Sequence, residues 1–206
     1  GPIVSLNQSA GTALSVQYAG FSPTRELDTF RLFNQARDLE DFQQALTFFD
    51  VGSQNWAYAD VEGHIAYFAS AEMPLREDLQ AGTVNGLPPY FLRSGAGGNE
   101  WLPATNHYPG QAVPYEILPP QEMPHVVDPS AGFFINANND PAGTTLDNDP
   151  LNQLRPGGGI YYLNPRYDGF RAGRITQLIR AHLAAGQKLS AADMHAMQAD
   201  VALLDA

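Results

Sequence analysis

Ten prolines fall between residues 74 and 129: Pro74, Pro88, Pro89, Pro103, Pro109, Pro114, Pro119, Pro120, Pro124 and Pro129. Each fixes φ and removes a backbone donor, so neither a long helix nor a central strand can run through this stretch. The glycines Gly82, Gly86, Gly95, Gly97, Gly98 and Gly110 add turns to the same region. Regular structure therefore has to be built from the two flanks, with residues 72–130 as a wrapping loop. A loop this long inside a compact domain either serves a site or wraps a neighbour.

The N-terminal flank reads as short extended segments followed by a helical pair. Over residues 3–20, Val4, Leu14, Val16 and Tyr18 partly alternate, with Gly11 and Gly20 as breaks. Ser22-Pro23 is a helix-start signature ahead of Leu27, Phe30 and Phe33. Asp38 with Asp41 opens a second helix, whose Leu39, Phe42, Leu46 and Phe49 form the stripe of a helix packed on one face. The pair spans 22–49. Asn55 to Asp60 and His64 to Ala69, joined through Val61-Glu62-Gly63, predict a β-hairpin over 54–69 with aromatics on both arms.

Beyond the proline-rich segment, Gly132-Phe133-Phe134-Ile135-Asn136-Ala137-Asn138 predicts a strand over 131–138. Helices follow over 170–204. The first, Arg171 to Ala185, carries Ile175, Leu178, Ile179 and Leu183 and stops at Gly186. The second opens on Ser190 with Asp193 and carries Met194, Met197, Val201 and Leu204. The expected class is α+β, with no internal repeat.

Composition closes several functional classes. The formal charge is −11 with 11 Lys+Arg, so the cationic surface that neutralises phosphates is missing and nucleic acid is not expected as a partner. There are no cysteines, which removes disulfides, thiolate zinc sites and cysteine nucleophiles. No stretch approaches the roughly 18 apolar residues of a membrane span, and the start lacks the basic and apolar regions of a signal peptide, so no membrane is expected. The 206 residues fit one domain or a large fragment of one, and the opening on Gly1-Pro2 without Met points to a processed segment.

Few motifs carry chemistry. The five histidines show no HExxH-like spacing, no serine sits in a GxSxG elbow, and Gly157-Gly158-Gly159 has no Lys-Ser/Thr behind it. Asp147-Asn148-Asp149 offers hard oxygen ligands but only part of a calcium set. The run Asn136-Ala137-Asn138-Asn139-Asp140-Pro141 supports two readings. Asx residues and Pro are ordinary turn formers. Neutral carboxamides at the end of an apolar segment are also the donors that stabilise a developing oxyanion, where one is worth about 10²–10³ in rate.

Five segments in order are similar to the penicillin amidase (penicillin acylase) family: Gly1-Pro2-Ile3-Val4; Asn55-Trp56-x-Tyr58-Ala59-Asp60-x-x-Gly63-x-Ile65-Ala66-Tyr67; Pro74-x-Arg76; the Asn-Ala-Asn-Asn-x-Pro run; and Phe170-Arg171-Ala172-x-Arg174-Ile175. The resemblance implies an internal segment of the large chain of an N-terminal-nucleophile hydrolase, within a four-layer αββα fold. It implies acyl transfer to an exposed N-terminal serine that lies outside this chain, after autoprocessing, with the free amino group of that serine as base. The fragment alone is expected to be inactive.

The same resemblance implies residue roles. Asn138 matches the oxyanion-hole asparagine. Strand alternation would put Phe134, Asn136 and Asn138 on one side, so Asn136 stands behind it as a supporting residue. Arg174 matches an arginine that orients the site electrostatically, and Asp149 matches an aspartate ligand of structural calcium. Phe30 and Gln54 would line the acyl pocket. Gln54 replaces an apolar residue expected of a phenylacetyl-selective pocket, which opens an aliphatic preference such as that of acyl-homoserine-lactone acylases. The implied partners are the remaining segments of the precursor and a small acyl-amide substrate, in the periplasm or beyond. From another class stands a non-catalytic, calcium-dependent binding module.

Overall fold

The structure is a computed structural model that describes residues 1–105 and 107–202. Leu204, expected on the last helix, lies outside the described residues. Strands β1 (Ile3–Asn7) and β2 (Thr12–Ser15) form an antiparallel hairpin with both faces exposed. Helix α1 is Glu26–Phe33 and α2 is Leu39–Leu46. Ser22 and Pro23 precede α1 outside the helix rather than starting it, and the Arg25 N–H just ahead of α1 donates to Asp50 Oδ2 at 2.8 Å. For α2 the expected cap is present: the Asp38 carboxylate accepts the Asp41 N–H at 2.8 Å.

The hairpin is β3 (Gln54–Ala59) and β4 (Ile65–Ser70), paired Trp56 to Phe68 and Tyr58 to Ala66. Those four residues share the face covered by the helical pair. There Leu46, Ala66 and Phe68 are buried under Phe33, Leu39, Phe42, Trp56 and Tyr58, with the Phe33 and Phe42 rings stacked at 4.5 Å. Period-two alternation on the strands and the 3-4-3 spacing on α2 are what bring these side chains onto one seam.

The third strand of this sheet was not expected. β5 (His125–Val127) pairs antiparallel with β4, matching Tyr67 to Val126. It lies inside the proline-rich stretch, which is ordered beyond what its composition implies. The Leu118 N–H bonds Met73 O, the Leu75 N–H bonds Glu116 O, and the Leu102 N–H bonds Leu75 O, so three passes of irregular chain are knit together. A one-turn helix α3 (Glu77–Gln80) interrupts it. A second core gathers Leu118, Met123 and Tyr161 with Ala69, Met73, Leu75, Ala142 and Leu163. Since Ala69 projects from β4 opposite to Phe68, this core lies on the other face of the sheet.

Buried ion pairs tie the irregular parts to the sheet. Arg25 meets the fully buried Asp50, and Glu72 accepts the N–H groups of Ala112 and Val113 at 2.8 and 2.7 Å. Arg155 bonds Glu122 at 2.7 Å, and Arg93 pairs with Asp78. The chain ends in α4 (Phe170–Ala184) and α5 (Ala191–Gln198), the latter opened by a Ser190/Asp193 capping box.

The strand expected over 131–138 is a correction. Those residues, all described, form no strand. Gly132 takes φ 73° and Asn138 φ 58°, which an extended ladder cannot contain. Within the run the Asn side chains bond their own backbone, displacing the cross-strand partners a ladder would need.

Candidate functional site

Asn138 sits in a sequence of local Asx bonds. Its N–H donates to Asn136 Oδ1 at 2.9 Å, and the Ala137 N–H donates to Asn139 Oδ1 at 3.0 Å. The left-handed φ of Asn138 is one that asparagine tolerates better than other side chains with a Cβ. Asn136 therefore supports Asn138 through its backbone and not by sharing a strand face with it.

Asp140 holds the other end of the run. Its carboxylate accepts the N–H groups of Ala142, Gly143 and Thr145 at 3.0, 2.8 and 2.6 Å, together with the Thr145 hydroxyl at 2.9 Å. Burial alone would push this carboxyl up, but these donors outweigh it and hold it below the usual carboxylate range. The segment that carries Asn138 is thus pinned at both sides by side chains of its own sequence. Phe134, four residues before Asn138, packs its ring 6.0 Å from Tyr67, whose hydroxyl donates to Asn55 Oδ1 at 2.6 Å. Burial pushes the Tyr67 phenol up to about 12, so it stays a neutral donor.

The carboxamide of Asn138 meets one cation. Arg171 Nη2 donates to Asn138 Oδ1 at 2.7 Å and to the Ala137 carbonyl at 2.6 Å. A guanidinium has no acceptor, so the amide oxygen must face it and the Nδ2–H₂ donors are turned away. Asn138 is exposed, which leaves those donors open to a ligand. Arg174, one turn further along α4, pairs with Asp200 at 2.7 and 3.0 Å. Of the two arginines of the Phe170-Arg171-Ala172-x-Arg174 motif, the one that touches Asn138 is Arg171.

The remaining expected residues lie apart from this group. Phe30 packs edge-on against Trp56 at 6.0 Å and against Phe49 at 6.4 Å, on the helix-covered face of the sheet, with about half its surface (47%) still open. Gln54 is exposed at the first position of β3, opposite Ser70. Two buried donors near Phe30, Thr29 Oγ1 and Trp56 Nε1, have no partner among the described residues. The start of β3 joins the two regions, since Asn55 beside Gln54 carries the bond to Tyr67 and hence to Phe134.

Asp149 is exposed, with one oxygen accepting the Leu151 N–H at 3.0 Å, while Asp147 accepts from Asn152 and from the Asp149 N–H. No three His, Cys, Asp or Glu side chains converge among the described residues. A calcium ion needs six to eight oxygens, so these residues do not by themselves fit it. A cavity of about 570 Å³ opens between α2, the end of β4 and residues 108–125, lined by Leu46, Phe68, Glu72, Ile117, Met123 and His125 among others. It is remote from Asn138 in composition, since no residue of the Asn136–Asn139 run or of α4 lines it. No helix among the described residues is long and apolar enough to cross a membrane.

The sequence matches the penicillin amidase profile over residues 1–206. The chain belongs to the penicillin amidase family. This is a family of hydrolases that act on amide bonds. Among solved structures the fold is similar to a thermostable penicillin G acylase from Alcaligenes faecalis, with a TM-score of 0.58 and 21% identity over 88% of this chain. The match covers 27% of that chain, so this segment spans about a quarter of the length of the acylase it resembles. Arg171 is the residue that sequence reasoning passed over. It stands in the family-like motif on α4, and only the fold of the Asn run onto the start of that helix distinguishes it from Arg174.

Proposed function

We propose that this chain is a segment of a penicillin acylase-like amidase that cleaves linear amide bonds by acyl transfer to an N-terminal serine contributed from outside it, with Asn138 as an oxyanion donor. The observation that carries the reading is the Asn138 carboxamide: its backbone is fixed by Asn136, its oxygen is committed to Arg171, and its two N–H donors are exposed. A preorganised neutral donor of this kind stabilises the tetrahedral intermediate without reorganising during the reaction. The remaining segments of the precursor supply the nucleophile, the second donor and the walls that exclude water.

Phe30 and Gln54 are proposed for the acyl-binding wall. In support, Phe30 on α1 keeps about half its surface open and Gln54 is exposed at the start of β3. Gln54 stands where a phenylacetyl-selective pocket would carry an apolar residue, and a buried amide without a partner costs about 1–3 kcal/mol, which favours an acyl group other than plain phenylacetyl. Asp149 is proposed to bind calcium only if ligands from other segments complete the shell. Export to the periplasm or beyond is part of the same proposal.

The test is Asn138→Ala in the complete enzyme. The expected loss in kcat is about 10²–10³ with KM little changed. Turnover within about twofold of the parent removes Asn138 from the oxyanion hole.

A further inference from the structure

We propose that Arg76, with Arg93 close by, receives an aspartate or glutamate side chain carried by the precursor segments that lie outside this chain. Arg76 belongs to the Pro74-x-Arg76 motif, for which the oxyanion reading has no use. Its backbone is held on two sides, by an antiparallel bridge to Trp101 and by the Gln80 N–H, which donates to its carbonyl at 2.8 Å. Its guanidinium is not. The guanidinium carbon lies 5.5 Å from the centre of the Tyr162 ring, and its nitrogens make no hydrogen bond or ion pair among the described residues.

A guanidinium carries five donors and no acceptor, so an aromatic face offsets its charge but leaves the N–H groups unbonded. Burial pushes Arg76 below the ordinary arginine range, and the Arg93 charge adds to that effect against the opposing influence of Tyr162 and Asp78. Arg93 has a gap of its own. Its terminal nitrogens bond the Asp78 carboxylate, and Nη2 also donates to Asn85 O at 3.0 Å, while its Nε–H is buried without a partner among the described residues.

The neighbouring acids are already engaged. Asp78, with its side chain 1% exposed, also accepts the Asn85 N–H at 2.8 Å. Glu77 accepts the Glu100 N–H at 3.4 Å, and Glu122 holds Arg155 at 2.7 Å. In a chain with 22 acidic residues against 11 Lys+Arg, a pair of guanidiniums with donors to spare is the reverse of what composition alone would produce. The missing partner is an anion.

The geometry narrows which anion. The cavity bordered by Arg76, Leu75, Leu79, Leu118 and Tyr162 measures about 20 Å³, room for about one water molecule, so a substrate-sized anion does not fit there. Part of the Arg76 surface stays open, and a carboxylate borne on a chain laid across that opening needs only its two oxygens to meet the planar fork of the guanidinium. This chain covers 27% of the acylase it resembles, which leaves ample chain outside it to supply such a group. The role of Asn138 does not enter the inference.

The experiment uses the complete enzyme. Arg76→Met keeps an apolar stem over Tyr162 and removes the guanidinium; it is expected to shorten the half-life of thermal inactivation by about tenfold, because it strips a desolvated carboxylate of its cation. Arg76→Lys should recover part of the loss, as a point charge without the fork. A crystal structure of the parent, grown without carboxylate buffers, sulfate or phosphate, should show an Asp or Glu oxygen from another segment within about 3.2 Å of an Arg76 nitrogen. Replacing that acid by its amide in the Arg76→Met background should cost nothing further.

Three results would overturn the inference. A half-life for Arg76→Met within about twofold of the parent assigns Arg76 to packing on Tyr162 alone. A structure of the parent with no acidic side chain on Arg76 removes the partner directly. If acetate or phosphate lengthens the half-life of the parent but not of Arg76→Met, the guanidinium takes a free anion from solution and no segment docks there. Should Arg76→Met fail to assemble, Arg76→Lys and the parent structure carry the test.

Discussion

Replacing Asn138 by glycine as well as by alanine separates what its side chain does from what its backbone does. At φ 58° an alanine carries about 1–2 kcal/mol of left-handed strain that asparagine partly escapes and glycine avoids. Both variants keep the backbone N–H that bonds Asn136 Oδ1, and both lose the carboxamide with its bond to Arg171. If the carboxamide is the oxyanion donor, each should lose about 2.7–4 kcal/mol of transition-state stabilisation, or 10²–10³ in kcat. The two should agree within about threefold in kcat, while glycine should melt at a higher temperature than alanine, by roughly 1 kcal/mol of stability. The assay is steady-state turnover of a chromogenic amide by the complete enzyme, with thermal unfolding alongside. Recovery of most turnover in Asn138→Gly would refute the reasoning, because it would assign the alanine defect to chain geometry.

Three further outcomes follow from packing and charge. Asp50→Ala leaves the Arg25 guanidinium and N–H without their buried acceptor, and because Arg25 is a quarter exposed and Glu72 lies 3.6 Å away the cost should be about 2–4 kcal/mol in denaturant midpoint, below the full cost of a buried pair. Gly159→Ala places a Cβ 2.7 Å from Leu79 O and 2.8 Å from Gln80 Cα at φ 85°, so it should destabilise by about 2 kcal/mol or more, and a neutral effect in the same unfolding assay would contradict the turn. The Asp140 carboxyl is held below its usual range, so it contributes stability above the unfolded carboxylate pKa of about 3.9 that is lost as pH falls through the folded value; Asp140→Asn should flatten that acid limb, and an unchanged pH profile of unfolding would count against the hub.

The parts of the fold that were legible in the sequence are those where periodicity and capping agree. The α2 stripe and the Asp38 cap lie where Leu39, Phe42 and Leu46 put them, and β3 and β4 fall within one residue of the arms marked by Trp56, Tyr58, Tyr67 and Phe68. Ser190 with Asp193 opens α5 as expected. The strand over 131–138 was misread because Phe133, Phe134 and Ile135 look β-favouring, while the Asn side chains after them compete for the same backbone groups. β5 was hidden because three residues between Pro124 and Pro129 carry no periodic signal of their own, and only their pairing with β4 makes them a strand.

The candidate site divides along the same line. Asn138 could be named from an ordered set of motifs, and Asn136 could be placed behind it, although through an Asx turn and not a strand face. Arg171 and Arg174 cannot be separated by sequence, since both are charged, both open α4 and they are three residues apart. Which of them meets Asn138 is decided by the long-range fold of residues 131–140 against the first turn of that helix.

The most direct test of the oxyanion assignment is a crystal structure of the complete enzyme carrying a tetrahedral adduct on its serine. The account predicts Asn138 Nδ2 at about 2.7–3.1 Å from the adduct oxygen, with Oδ1 still on Arg171. An adduct oxygen bonded elsewhere, with Nδ2 beyond hydrogen-bonding distance, would contradict it.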